Sequence, residues 1–257
     1  MKQNILLALS FAKRDFKERY VGTGLGQLWY ILSPIITIFI YTVIFSDFMK
    51  MKLDIVENTY SYSIYLIPGL LSWTAFSTII TRLNSSILDK SNLIKKINVP
   101  VYVHQISIII TEFFILAISF IIALCFLYIV DHPVTIAFLY LIPILFLQTL
   151  LAFAIGAMLS LFTPFFKDLK EAVPIILQLW FWMTPIIYMK EMVANKYPLI
   201  LVYNPFFYFS NIYQNIFLHS KTPPLSTLFF LSLLTLSLLI IAAILYKKMI
   251  STIKDIL

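Results

Sequence analysis

Apolar residues fall into six long runs along the chain, each close to the length that a helix needs to cross a bilayer. Crossing the hydrocarbon core takes about 20 apolar residues in a helix, and charges rarely interrupt these runs. The predicted spans are 27–45, 64–83, 106–130, 134–162, 169–188 and 225–246. Pro143 and Pro185 predict kinks or breaks in the fourth and fifth spans. The pattern therefore predicts an all-α integral membrane protein with six transmembrane helices.

The N-terminal residues 1–22 show a different pattern, which is typical of an amphipathic helix. Apolar residues recur at helical spacing on one face, and charged residues lie opposite them. The apolar positions are Ile5, Leu9, Ala12, Phe16 and Tyr20. Such a helix lies in the plane of the membrane surface rather than crossing it. Gly22, Gly24 and Gly26 then predict a turn into the first span.

A further apolar run, 199–218, is not counted as a span. Asn204-Pro205 breaks it early, and several polar side chains would be costly in lipid. Those side chains are Ser210, Asn211, Gln214 and Asn215. We instead expect short re-entrant helices over 190–222, at the outer face between spans five and six, with the amides sharing one polar side.

Charge distribution predicts the orientation of a single transmembrane domain over 1–257. Of the 19 lysines and arginines, fourteen lie on the side that holds both termini, which places the termini in the cytoplasm. The loop 85–100 is cytoplasmic in the same scheme. With 61% apolar and 12% charged residues and a mean hydropathy of +0.92, the chain differs from soluble domains, which carry about 25% charge. The net charge of +7 is therefore a topology signal and an attraction to membrane lipid, not a sign of nucleic-acid binding.

The sequence offers few of the residue patterns that support catalysis or metal binding. The sequence has no glycine-rich phosphate loop ending in lysine, its three histidines are far apart, and Cys125 is the single cysteine. We expect no catalytic residue, metal site or cofactor on this chain. Glu112 is the one ionisable residue well inside a span, and both a structural hydrogen-bonding role and a transport role are open for it.

Two further sets of residues suggest binding surfaces. Within the loop 85–100, apolar and basic residues alternate in a way that favours a docking helix for a soluble partner. Its residues are Asn92, Leu93, Ile94, Lys95 and Lys96. Aromatic residues in the spans form interface belts or pack between helices, or they stack on the apolar faces of sugar rings. The candidates are Trp29, Tyr41, Trp73, Trp180, Trp182 and Tyr188.

Several short motifs, in this order, resemble one family over almost the whole chain. They are Arg14-Asp15 through Tyr20 with Leu25-Gly26, Trp29 and Pro34; Pro68-Gly69-Leu70 with Trp73; residues 92–96 ending at Pro100; residues 166–171; Thr184-Pro185-Ile186-Ile187-Tyr188; and Asn204-Pro205. In these motifs the chain is similar to the membrane subunits of ABC transporters that export O-antigen, teichoic acid and capsule polysaccharides.

The resemblance implies a homodimer in the bacterial inner (plasma) membrane, with the first and fifth spans lining a central conduit. Two copies of a separate ATPase subunit would carry ATP and Mg²⁺ and dock on the surface helix and on residues 92–96. The substrate would be a glycan linked to polyprenyl pyrophosphate. Arg14, Lys17 and Arg19 would receive the pyrophosphate at a lateral gate, since guanidinium groups bind phosphate oxygens bidentately. The aromatic candidates would line the glycan path, and the chain itself would not be an enzyme.

Two other functions remain open from the residues. One is a membrane-embedded transferase acting on a polyprenyl lipid, which would need a carboxylate or histidine facing a lipid-accessible cleft. The other is the permease of a lipid or drug exporter with a related architecture.

Overall fold

The computed structural model describes residues 2–50, 59–91 and 100–256, and in these ranges the chain forms helices and turns without any strand. Two short helical turns, Gly26–Leu28 and Ile136–Tyr140, precede α2 and α5, and a π-helical stretch, Val43–Phe48, continues α2. The α-helices are α1 Lys2–Glu18, α2 Trp29–Thr42, α3 Ser61–Asp89, α4 Val101–Ile129, α5 Leu141–Phe162, α6 Leu169–Met183, α7 Lys190–Ala194, α8 Pro198–Tyr203, α9 Pro205–His219 and α10 Leu225–Ile256.

Five helical segments of the described chain are long and apolar enough to cross a membrane. They are Gly26–Ser46, Ser61–Asp89, Val101–Ile129, Ile136–Phe162 and Leu225–Ile253. Five of the six predicted spans are thus confirmed as helices of sufficient length. The predicted fifth span is not, because α6 has 15 residues and is only about 22 Å long. The hydrocarbon core is about 30 Å thick, so the predicted count of six is not confirmed.

Helix α6 ends where proline chemistry requires it to end. Pro185 disfavours helical angles at the residue before it, and Thr184 is extended with φ −103° and ψ 127°. The break that Pro185 predicts is therefore confirmed. Beyond the end of α6, side chains of α3 and α9 donate hydrogen bonds to backbone carbonyl groups that have no helical N–H donor. Tyr62 donates to Ile187, Tyr65 donates to Tyr188 at 2.9 Å, and Gln214 donates to Pro185 at 3.2 Å.

Pro143 acts differently from the prediction of a kink within the fourth span. It is the third residue of α5, in the first helical turn, where its missing N–H has no acceptor to lose. The irregularity precedes it, as the short helical turn Ile136–Tyr140 that leads into α5.

Helix α3 is the centre of the bundle. In its most apolar stretch 72% of the residues are buried, against 22% for the first span and 17% for α10. It packs against α4, α5, α6 and α9. The first span and α10 consequently present most of their apolar side chains to the surroundings, as lipid-facing helices do.

The end of α3 extends into the region predicted as a loop. Residues 85–89 are helical, so the predicted loop 85–100 begins too early. Ile87 is buried there in a small apolar cluster with Val101, Leu161 and Ile253, which stabilises the last turns of α3. The rest of the predicted coupling segment, residues 92–99, lies outside the described residues.

Helix α1 contacts the bundle through small side chains. Ala8 and Ala12 are buried against α4, and Asn4 donates a hydrogen bond to the Tyr102 hydroxyl at 2.7 Å. The helix ends at Glu18, earlier than the predicted bound of 22, and a turn follows in which Gly22 and Gly26 have positive φ. Ile5 and Leu9, predicted on the apolar face, are about half exposed. The buried stripe is thus narrower than predicted, and the position of α1 at a membrane surface stays a prediction.

The region predicted as re-entrant, 190–222, contains α7, α8 and α9, and its re-entrant character is not confirmed. Asn204 caps α9, because its side-chain oxygen accepts from the backbone N–H groups of Phe206 and Phe207. The break predicted at Asn204-Pro205 is confirmed. Helix α9 lies against α3 with most of its apolar side chains buried.

We predict that Gly156→Ala destabilises the contact between α3 and α5. A Cβ atom at Gly156 would lie 2.8 Å from Leu83 Cβ and 3.2 Å from the Ile80 backbone, so the two helices must separate. Such overpacking costs about 1–3 kcal/mol, and the midpoint of thermal unfolding in detergent should fall. Gly24→Ala is the matched control, since a Cβ there meets nothing within 4 Å and φ is not positive. Equal midpoints for the two variants would contradict the packing argument.

Candidate functional site

Four charged side chains form an ionic cluster around the buried Glu112, where α1, α3 and α4 meet. The Glu112 side chain is 3% exposed, and its Oε1 accepts from Arg19 Nη1 at 2.8 Å and from Arg82 Nη1 at 2.5 Å. The other terminal nitrogen of Arg82, Nη2, donates to both carboxylate oxygens of Asp15, at 2.7 and 2.9 Å. Two guanidinium groups and two carboxylates therefore neutralise one another, and they come from three segments of the chain: the end of α1, α3 and α4.

The cluster gives Glu112 the hydrogen-bonding role that is one of the two considered for it in the sequence analysis. A carboxylate this deeply buried is tolerated only with charged partners and hydrogen bonds, and Glu112 has both. The sequence analysis used Arg82 only for topology and did not pair it. The signal was nevertheless present, because Arg82 and Glu112 are opposite charges on consecutive spans, near the ends that the loop 85–100 joins.

Next to this cluster lies a cavity of about 140 Å³, which we call the polar cavity. Arg19 and Glu112 contribute its charged side, and Trp29 lies at its edge. Hydroxyl groups from α2, α3 and α4 supply most of its other polar atoms: Ser33, Thr37, Thr74, Thr78 and Ser119. It therefore offers both charge and many hydrogen-bonding groups that donate and accept.

A larger groove of about 360 Å³, which we call the α3 groove, runs between α2, α3 and α6. Its walls include Tyr41, Trp73 and Phe181, and its polar groups come from Ser77, Thr81 and Gln178. Thr74 lines both this groove and the polar cavity. On α3 the hydroxyl residues 74, 77, 78 and 81 are spaced three and four apart, so they form one continuous stripe that connects the two spaces. The sequence analysis did not single out this stripe, although its helical spacing was visible.

The predicted aromatic residues are distributed over several environments. Tyr41 and Trp73 line the α3 groove, and Trp29 lines the polar cavity. Trp180 packs edge-on against Trp73 with ring centroids 5.8 Å apart, and its Nε1 donates to Asn204 at 2.8 Å. Trp182 is 57% exposed and, with Tyr188, lines neither space. Trp180 thus stabilises the bundle, while the other members of the set do not share one surface.

The three predicted gate cations are not brought together. Arg14 forms an exposed pair with Glu18 at 2.7 Å, one turn along α1. Lys17 faces a separate apolar space between α1 and α4. Only Arg19 lines the polar cavity. The predicted docking residues Asn92, Leu93, Ile94, Lys95 and Lys96 lie outside the described residues.

A smaller polar pocket of about 90 Å³ lies between α3 and α9. It contains the amides that were predicted to share one polar side, Asn211, Gln214 and Asn215, together with Tyr65 and His219. Burial lowers the pKa of the His219 imidazole, and the cations of Lys221 and Lys190 lower it further. This ring is therefore neutral at neutral pH.

Several helices in the described part of the chain are long and apolar enough to cross a membrane, which is typical of a multi-pass membrane protein. Comparison with known families identifies which kind: the chain belongs to the ABC-2 type transporter family, whose sequence profile matches residues 7–218. The match covers the structure from α1 to the end of α9 and stops before α10. The chain is accordingly a permease, the membrane component of a transport system.

Individual relatives agree with this family. The chain is 28% identical over 246 residues to the O-antigen export system permease protein RfbA of Myxococcus xanthus, which covers 94% of this chain and 92% of the relative. Two proteins of the same name from Klebsiella pneumoniae are 26% and 28% identical over 200 residues, covering 77% of this chain and 75% of each relative.

We predict that Arg82→Met destabilises the protein strongly, because it leaves Asp15 without its partner and Glu112 with one cation instead of two. Removing one member of a buried ion pair costs about 3–5 kcal/mol. Arg14→Met removes an exposed pair and should cost less than about 1 kcal/mol. Thermal unfolding in detergent compares the two variants. Adding Glu112→Gln to Arg82→Met should cost less than the sum of the two single changes, whereas additive costs would show that the two side chains do not act together.

Proposed function

We propose that this chain is the transmembrane subunit of an ATP-driven exporter that moves a lipid-linked polysaccharide out of the cytoplasm. The observation that carries the proposal is the α3 groove with its stripe of hydroxyl groups, joined through Thr74 to the polar cavity. The names of the three relatives, each an O-antigen export permease, support the same class of substrate.

The chemistry of the groove suits a glycan. Sugar hydroxyls both donate and accept hydrogen bonds, as serine and threonine hydroxyls do. The apolar faces of sugar rings stack on aromatic side chains, and two such side chains, Tyr41 and Trp73, line the groove. Neutral contacts of this kind are individually weak. A chain of sugars can therefore pass along them from one contact to the next without being held at one place.

We propose that a second copy of the chain completes the conduit. The α3 groove is open on one side, and a second copy placed across that side would enclose the path, which agrees with the homodimer that the family resemblance implies. The helices that border the groove, α2 and α6, also carry exposed apolar residues on faces other than the one that lines it, among them Phe39, Ile175 and Leu179.

For the pyrophosphate end of the substrate, we propose Arg19 alone of the three predicted gate cations. Its guanidinium lines the polar cavity, next to the stripe of hydroxyl groups. Because Arg19 binds an oxygen of Glu112 and both line the cavity, a pyrophosphate entering it would compete with this carboxylate for the Arg19 guanidinium. Arg14 and Lys17 do not line this cavity, so we do not include them in the gate.

We further propose six membrane crossings, with both termini in the cytoplasm of a bacterial cell. Helix α6 is about 22 Å long, and the irregular residues 184–188 that follow can add up to about 3.3 Å each. Together they are long enough to cross the hydrocarbon core. Irregular backbone at membrane depth needs protein partners for its polar groups, and Tyr62, Tyr65 and Gln214 provide them.

Energy would come from two copies of a separate cytoplasmic ATPase subunit that carries ATP and Mg²⁺. The segment Asn92, Leu93, Ile94, Lys95 and Lys96 stays our predicted docking site for it, together with α1. A membrane-embedded transferase is less consistent with the structure. Such an enzyme needs a base that is free to take a proton, and Glu112, the buried carboxylate inside a span, is held by two guanidinium groups.

We predict that Thr74→Val combined with Thr81→Val reduces glycan export. The change keeps the shape of each side chain and removes two hydroxyl groups from the stripe. Surface polysaccharide, measured in cells that lack the native chain, should fall several-fold while the amount of variant in the membrane is unchanged. Thr227→Val with Thr252→Val is the matched control, since both residues lie on α10 and outside the groove. Normal surface polysaccharide in the first variant would remove the stripe from the path.

A second prediction tests the gate. Arg19→Lys keeps the positive charge beside Glu112 but cannot bind a phosphate bidentately. The loss of one charge-assisted hydrogen bond should raise the polyprenyl-pyrophosphate concentration for half-maximal stimulation of ATP hydrolysis by about tenfold. The measurement uses the permease assembled with its ATPase, and Arg14→Lys serves as the control. If both variants respond to the lipid like the wild type, Arg19 does not contact the headgroup.

A further inference from the structure

A fourth cavity, which we call the α1–α4 groove, lies outside the path proposed for the substrate. It has a volume of about 400 Å³ and shares no lining residue with the polar cavity or the α3 groove. Leu9 and Phe16 of α1 form one wall, and Phe114 and Ile118 of α4 form the other. Neither the ionic cluster nor the hydroxyl stripe contributes to it. The groove therefore needs an explanation of its own.

The shape of the groove fits a lipid tail. Its lining extends along α4 from Ile110 to Ile118, a distance of about 12 Å at the rise of an α-helix. Phe114 is 58% exposed and Leu9 is 48% exposed, so large apolar surfaces border the space on both sides. In a membrane protein such a concave apolar surface is filled by an acyl chain rather than by water.

The mouth of the groove carries two cations. Lys13 and Lys17 lie one helical turn apart on the same face of α1, and both line the groove. Among the described residues, no carboxylate lies within 4.0 Å of either ammonium group. The neighbouring Arg14, in contrast, is paired with Glu18 and does not line the groove. Two unneutralised charges thus lie beside an apolar space.

We propose that the α1–α4 groove binds an anionic diacyl phospholipid, such as phosphatidylglycerol, from the leaflet in which α1 lies. Its phosphate pairs with Lys13 and Lys17, and an acyl chain packs between Leu9 and Phe114. The charge of the two lysines favours this occupant over a zwitterionic lipid, and it opposes a second copy of the same basic helix. The bound lipid sets the depth of α1 and thereby of Arg19 in the ionic cluster. This site does not depend on what the transporter exports.

The test measures lipid selectivity on the full chain in detergent. Equal amounts of phosphatidylglycerol and phosphatidylcholine with the same acyl chains are added, and native mass spectrometry counts each bound lipid. A lysine near a phosphate contributes about 1 kcal/mol, or about fivefold in binding. The wild type should therefore prefer phosphatidylglycerol on the order of 20-fold. Lys13→Gln with Lys17→Gln should abolish this preference, and Lys13→Arg with Lys17→Arg should keep it.

Two matched controls separate a site from general surface charge. Lys247→Gln with Lys248→Gln removes the same charge from the exposed end of α10, away from the groove, and should leave the preference unchanged. Leu9→Trp fills the groove but keeps both lysines, so it should reduce the number of bound phosphatidylglycerol molecules. Leu6→Trp, on the same helix but outside the groove, should not. A preference that persists without Lys13 and Lys17, or an equal effect of the two tryptophans, would overturn the proposal.

A final arm distinguishes the phospholipid from the exported substrate. Polyprenyl pyrophosphate at an equal concentration should leave phosphatidylglycerol bound to the wild-type chain. Displacement of phosphatidylglycerol that requires Lys13 and Lys17 would assign the groove to the substrate and overturn the proposal.

Discussion

A carboxylate buried between two guanidinium groups fixes the geometry at one end of this bundle. Glu112 is stable at its depth only when Arg19 and Arg82 both reach it, and Arg82 in turn holds Asp15. The cluster therefore brings together the end of α1, the last turns of α3 and the first half of α4. The floor of the polar cavity and the tilt of α1 against α4 both depend on these four side chains, which is why one substitution among them should affect more than local stability.

The remaining architecture is organised by α3. Glycines allow close approach on two of its sides: a Cβ atom at Gly156 of α5 would lie 2.8 Å from Leu83 Cβ, and a Cβ atom at Gly69 of α3 would lie 3.1 Å from Ile186 and 3.3 Å from Ser210. On a third side the stripe that begins at Thr74 is left uncovered and borders the α3 groove. One helix thus serves both as the core of the fold and as a wall of the candidate path, so the path has a rigid side.

The sequence predicted the parts of this fold that depend on local chemistry. Apolar runs located five helices, and Pro185 located the end of α6, because both signals act over a few residues. It did not predict the length of α6, which depends on side chains of α3 and α9 that replace helical hydrogen bonds. Nor did it predict the pair between Arg19 and Glu112, which are 93 residues apart and meet only when α1 folds back onto α4. For the same reason the sequence could not separate Arg19, which lines the polar cavity, from Lys17, which lines the space between α1 and α4.

The end of helix α6 at Met183, where irregular backbone follows, has a mechanical consequence. Asn204 accepts from Trp180 of α6 and donates to Thr184, while its oxygen also caps α9. Gln214 of α9 binds the next carbonyl along, that of Pro185. Helix α6 and helix α9 are therefore linked by two amide side chains rather than by continuous backbone, and a displacement of one must carry the other or exchange these bonds. The width of the α3 groove, of which α6 is one wall, is in this way tied to a helix that does not border it.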